Sequence, residues 1–202
     1  MLVALACSLV LVSACGDDAP DDALSAEVVR PYAEPGVKGL QIVDYQRENG
    51  WVDSSDPNQY VVRYKFNLRL ERPFPEVVLD LARDFELLRE RRRSAPGTAA
   101  KFVMAFEDMR SSAKAINWME AQGSEFEPRL DRLSSKCAGC RVYLNGPVPV
   151  ETRKVRREKF ALAWSHLEEL GFPDSSRIGD TAPGTAWASF LKTERGWRPF
   201  QQ

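Results

Sequence analysis

Hydrophobic and polar positions alternate most strictly along Tyr60–Leu70. Tyr60, Val62, Tyr64, Phe66, Leu68 and Leu70 fall on one side, and Val61, Arg63, Lys65, Asn67 and Arg69 on the other. Side chains alternate across a strand, so this pattern predicts a long strand with one apolar and one wet face. Leu40–Gln46 reads as a shorter strand before it. Asn49-Gly50 is a hairpin turn signal, and the polar run Asp53–Asn58 is a second turn, giving an antiparallel pair or meander.

After Pro73-Phe74-Pro75 the period changes. Val78, Leu81, Phe85 and Leu88 recur at helical spacing, and that helix ends near Arg93, before Pro96-Gly97. A second helix covers Thr98 to Gln122, with Phe102, Phe106, Met109, Ala113 and Ile116 as its stripe. Ser124-Glu125-Phe126-Glu127 has the form of a capping box opening a short third helix. Val142-Tyr143-Leu144 reads as a short strand and Asn145-Gly146-Pro147 as a turn. A fourth helix runs from Val150 to Leu170, with Phe160, Ala163, Trp164 and Leu167 on one stripe. The C-terminus reads as a hairpin: Ala186–Lys192, a turn at Thr193–Gly196, then Trp197–Phe200. Strands, then helices, then strands predict an α+β domain. Its antiparallel sheet has about four to five strands, with three to four helices packed on one face.

The N-terminus follows a different rule. Met1 to Ala14 carries no charged side chain and is mostly Leu, Val and Ala, a run too short to span a bilayer as a helix. It ends in Val12-Ser13-Ala14-Cys15. This resembles the lipobox of bacterial lipoproteins, in which small residues precede a cysteine, although no Lys or Arg stands before the apolar run. The resemblance implies that residues 1–14 are a signal peptide, cleaved so that Cys15 becomes the first residue and carries lipid. It also implies a location at the periplasmic face of a Gram-negative envelope. Gly16, where an Asp favours inner-membrane retention in enteric bacteria, leans towards the outer membrane. Residues 16–22, with four acids, one Pro and one Gly, predict a flexible tether within 15–30. Pro31–Gly39 reads as loop, and 31–202 as a single periplasmic α+β domain.

Composition narrows the function classes. With 28 basic and 29 acidic residues, no global positive field favours nucleic acid. The Gly-rich phosphate loop, the dinucleotide fingerprint and the nucleophile elbow are missing from the sequence, and His166 is the single histidine. Glu76, Asp80 and Asp84 form an acidic ridge. Arg89 with Arg91–Arg93, and Arg153, Lys154, Arg156 and Arg157, form basic clusters. Together with Arg63, Lys65 and Arg69 on the wet strand face, the second cluster is a candidate surface for an anion or a partner. Trp51 and Trp197 each follow a glycine, where aromatics close the end of a core; an exposed pair would mark a binding surface.

Cys137-Ala138-Gly139-Cys140 is the remaining chemistry. With Cys7 in the signal and Cys15 lipidated, these two thiols face an oxidising compartment, which predicts a structural disulfide. The spacing resembles the Cys-x-x-Cys of thioredoxin-like proteins, but a strand after Cys140 would withhold the helix start that activates such a pair. Zinc would require more ligands, and Arg141 in place of a histidine argues against haem attachment. The expectation is a lipid-anchored envelope protein with a non-catalytic binding or scaffolding role, no cofactor and no metal, held to the membrane by its anchor. Its partner would be an envelope protein. The alternatives are a thiol–disulfide protein using Cys137 and Cys140, and a small-ligand carrier.

Overall fold

The computed structural model describes residues 19–93 and 98–200, with side chains outside 92–106. Helix α1 (Asp22–Ala33) leads into strands β1 (Leu40–Val52) and β2 (Gln59–Leu70). Helices α2 (Phe74–Arg93), α3 (Thr98–Gln122), α4 (Phe126–Ser135), α5 (Ala138–Asn145) and α6 (Val150–Glu169) follow, then strands β3 (Thr181–Thr193) and β4 (Gly196–Pro199). All neighbours in the β1-β2-β3-β4 sheet are antiparallel. The fold is therefore α+β as the pattern predicts, with α1 and α5 added to the expected helices.

β2 is the centre of this arrangement. Val62, Tyr64, Phe66, Leu68 and Leu70 are buried beneath the helices, while Arg63 and Lys65 are exposed on the opposite face. Val61 departs from the alternation: it is buried on the wet face, where Trp51 and Ser189 oppose it across the ladder. α6 is the apolar spine of the helical layer. Its Trp164 is fully buried against Trp118 and Phe126, and the Arg129 guanidinium lies 4.9 Å above its ring. Arg129 Nη2 also donates to Glu168 at 2.8 Å and Nε to Asp174 at 3.1 Å, tying α4 to the end of α6.

Several local expectations are corrected. Asn49-Gly50 does not turn. Both residues stay in β1, opposite Arg63 and Val62, and the chain reverses at Asp53–Asn58. There the Asp53 carboxylate accepts from Ser55 N, and Asp56 from Asn58 N. Glycine at 50 serves close approach instead: a Cβ there would lie 2.5 Å from Tyr60 Cε1. The expected capping box does not form, because Gly123–Glu125 makes a turn of 3-10 helix whose cap has no side-chain hydrogen bond. Val142–Leu144 is helical, part of α5.

The expected tether over 15–30 is also shortened. From Asp22 onward the chain is α1, which continues through Pro31 and Tyr32 to Ala33, so the loop starts three residues later than Pro31. Asp21 caps it by accepting from Leu24 N at 2.7 Å. Ser25 Oγ lies 2.9 Å from Tyr64 Oη, and Arg47 Nη1 donates to Asp22 at 2.6 Å and to the Pro20 carbonyl at 3.1 Å. Charge alone reads this acidic stretch as solvated; a caps-and-stripe reading of Asp21, Val29 and Ala33 recovers the helix.

Candidate functional site

The sheet has two outer edges, and they differ. β1 carries two register shifts, between Val43 and Gln46 and between Arg47 and Asn49, with Asp44 at φ 54°. Bulges of this kind twist an edge away from further pairing. β3 runs for 13 residues, but β4 covers only Phe190–Thr193. Phe200 N then donates to Ser189 O at 2.8 Å, so the main-chain groups of Ser189 point outward. By the alternation of an antiparallel ladder, those of Thr185 and Trp187 point outward too. Among the described residues no strand pairs with this part of the edge. Pro183 lies outward by the same alternation, where a missing N–H costs β2 nothing.

Aromatic side chains flank this open edge. Tyr32 at the end of α1 stands on the helical side, 68% exposed, and Trp187 on the wet side, 56% exposed; Phe200 stands where β4 ends. Together with Thr185–Ser189 they line a groove of about 410 Å³. An extended chain laid along β3 would find main-chain partners in the middle and an aromatic wall on each side.

The residues selected from sequence are dispersed. Arg63 pairs with Glu48 at 2.6 Å, and Arg69 with Glu71 at 2.5 Å and Gln41 at 2.7 Å, on the bare sheet face around exposed Lys65. Arg153, Lys154, Arg156 and Arg157 belong to α6, in the helical layer on the other side. Arg156 reaches Glu86 at 3.4 Å and lies over the Tyr143 ring; Arg157 bridges to Glu127 and lies over Phe126. Arg153 and Lys154 are exposed beside a groove they share with Glu127 and Asp131. The two basic sets therefore do not form one surface. On the acidic ridge, Arg72 donates to Asp80 and Glu76, and Lys38 pairs with Asp84 at 3.2 Å. Among the described residues no group of His, Cys, Asp and Glu has metal-ligand spacing. Trp197 packs on Tyr60 at 5.7 Å and Trp51 is 43% exposed in β1, so the two glycine-following tryptophans do not make a patch. Cys15 lies outside the described residues.

His166 borders a groove with Lys114, Lys159, Arg110 and Asp108. Burial holds its pKa below the usual 6.5; Glu169 opposes this and Lys114 adds to it. The unfolded chain therefore takes up the proton first as pH falls, and this contribution to stability is present above about 6.5 and lost below it. His166→Gln should flatten that acid-side decline, read as denaturant midpoints at pH values on either side of 6.5. Parallel declines in the two proteins would refute the assignment.

Cys137 and Cys140 form a disulfide, with Cα atoms 5.1 Å apart, at the start of α5. Cys137 is the N-cap of that helix and its sulfur accepts from Cys140 N at 3.1 Å. The strand expected after Cys140 is absent, and with it the objection to an activated pair. β-branched Val142 and aromatic Tyr143 suggest a strand by propensity. The buried trio Cys140, Tyr143 and Leu144, spaced three and four apart, shows the helix.

No family model matches the chain, and neither a curated protein nor a solved structure does.

Proposed function

We propose that the chain is a lipid-anchored protein of the bacterial cell envelope that binds another envelope component by taking a strand of it onto the free edge of β3. The observation that carries this reading is the groove formed by Tyr32, Trp187 and Phe200 around the outward main-chain groups of Thr185 and Trp187. Strand addition gains affinity from main-chain hydrogen bonds and specificity from pockets for alternate side chains. Exposed clustered aromatics are a mark of such surfaces. A partner segment of alternating apolar and polar residues suits the slot. The carrier alternative has less to rest on: Tyr45 stacks on Tyr64 at 4.7 Å and Phe66 packs on Gly184, filling the space a ligand under the sheet would need.

Site-specific photocrosslinking in intact cells tests the proposal. A crosslinker at Tyr32 should capture one envelope protein, and Trp187→Lys in the same chain should cut capture at least ten-fold. The substitution lies on an exposed position and should change stability by only about 0.5 kcal/mol. A crosslinker at Lys65, on the bare sheet face, should capture nothing. Equal capture from positions 32 and 65, or capture indifferent to Trp187→Lys, overturns the proposal.

A further inference from the structure

The geometry points to Cys137 and Cys140 as a redox-active dithiol–disulfide pair, exchanging with thiols or dithiols. This inference is independent of the strand-binding edge. A structural disulfide needs only to be formed; an exchanging one needs a reduced state that is also provided for, and the two sulfurs must differ. Both conditions are met.

Cys137 occupies the N-cap with extended backbone, φ −141° and ψ 108°. Reduced, its thiolate keeps the Cys140 N–H at 3.1 Å and sits at the positive end of α5, with exposed Lys136 and Arg141 flanking the pair in sequence. The N–H and the helix end each favour the thiolate over the thiol. Cys140 is the opposite case. It is fully buried, and its sulfur lies 3.3 Å from the Pro75 carbonyl oxygen in the first turn of α2. In the disulfide that sulfur has no proton to give; in the dithiol its S–H donates to Pro75 O. Reduction therefore adds a hydrogen bond at Cys140 and makes the one already present at Cys137 charge-assisted, and the oxidised form is the stronger oxidant for it. α5 begins hard against α2: a Cβ on Gly139 would fall 2.9 Å from Leu79 Cδ2, so glycine is what allows this approach.

The exchange balances as two electrons. An incoming thiolate attacks Cys137 Sγ, the less buried of the two at 7% exposure for its residue. The Sγ–Sγ bond breaks, and Cys140 leaves as thiolate, takes a proton from solvent and donates it to Pro75 O. The donor's second thiol loses its proton and attacks its own sulfur in the mixed disulfide. Cys137 is released as a thiolate on the Cys140 N–H. The donor dithiol has become a disulfide, and the pair a dithiol. The reverse sequence reduces a partner disulfide.

The test uses the full chain equilibrated in glutathione redox buffers, with Cys137 and Cys140 read separately by peptide mass spectrometry after alkylation. The pair should pass from oxidised to reduced within the buffer range, with the thermal unfolding midpoint little changed. In the reduced protein at neutral pH, Cys137 should be carboxymethylated at least ten-fold faster than Cys140. Cys140→Ser should accumulate a mixed disulfide at Cys137; if that variant does not fold, the titration and the alkylation ratio on the unaltered chain still decide. A pair that stays oxidised throughout, one whose reduction unfolds the domain, or two thiols alkylated at equal rates overturns the inference.

Discussion

Phe66→Ala should destabilise the domain by about 3–5 kcal/mol, and Lys65→Ala, one residue earlier on the same strand, by less than about 0.5 kcal/mol. The contrast comes from the alternation of β2. Phe66 is buried among the core residues, while Lys65 is exposed on the bare face. The Phe66 ring also folds across the residue that opposes it on β3, Gly184. A Cβ at 184 would lie 2.4 Å from Phe66 Cε2 and 2.7 Å from Cζ. Gly184→Ala therefore displaces the ring and should cost roughly 1–3 kcal/mol by overpacking. Once the ring is gone that clash is gone, so the double variant should be less destabilised than the sum of the single ones. Denaturant unfolding of the unaltered protein and these four variants measures this. Equal costs at 65 and 66 would mean that the strand is wrongly faced, and strict additivity would mean that the ring does not lie on the glycine.

Cys15→Ser should abolish stable membrane association. Two acyl chains anchor firmly, whereas one gives marginal, reversible binding, so a lipidated Cys15 is an all-or-none requirement. In fractionated cells the unaltered protein should sediment with membranes and resist salt extraction. The serine variant should remain an uncleaved precursor or appear in the soluble fraction. Mass spectrometry of the N-terminal peptide should show acyl mass on Cys15. An unmodified Cys15 in membrane-extracted protein would remove the anchor from the proposed function and leave the β3 edge to be judged alone.

Period and punctuation carried most of the fold. β2 and helices α2, α3 and α6 lie where alternation, helical spacing and the Pro/Gly breakers put them. The stripe expected on α3 is corrected: Met109, Ala113 and Ile116 are exposed, Ala115 is buried with Trp118 and Met119 packed against the core, and the side chains of Phe102 and Phe106 lie outside the described residues. What sequence hid were places where two local signals compete. Asn49-Gly50 carries the stronger turn dipeptide, yet Asp53 and Asp56 hold the reversal with their own side chains, and the Tyr60 ring lies where a Cβ at position 50 would be. At Cys137 a sulfur replaces the usual oxygen as helix cap. The candidate groove was hidden for another reason: Pro183-Gly184 look like breakers, but an outward-facing proline is tolerated at an edge and the glycine receives Phe66. Edge status itself depends on how little of β3 the short β4 covers, which no local pattern records.

The early start of α1 sets a working radius. Only residues 16–21 separate Cys15 from the helix, and Arg47 clamps Pro20 and Asp22 to the sheet. Six residues reach roughly 20 Å when fully extended, and α1, 12 residues long, adds about 18 Å to its far end. Tyr32 stands at that far end. If Cys15 carries lipid and the β3 edge binds as proposed, the slot would work within about 40 Å of the bilayer surface. A partner strand would then have to be delivered to the membrane, by a neighbour anchored in the same leaflet or by a chain that reaches down to it.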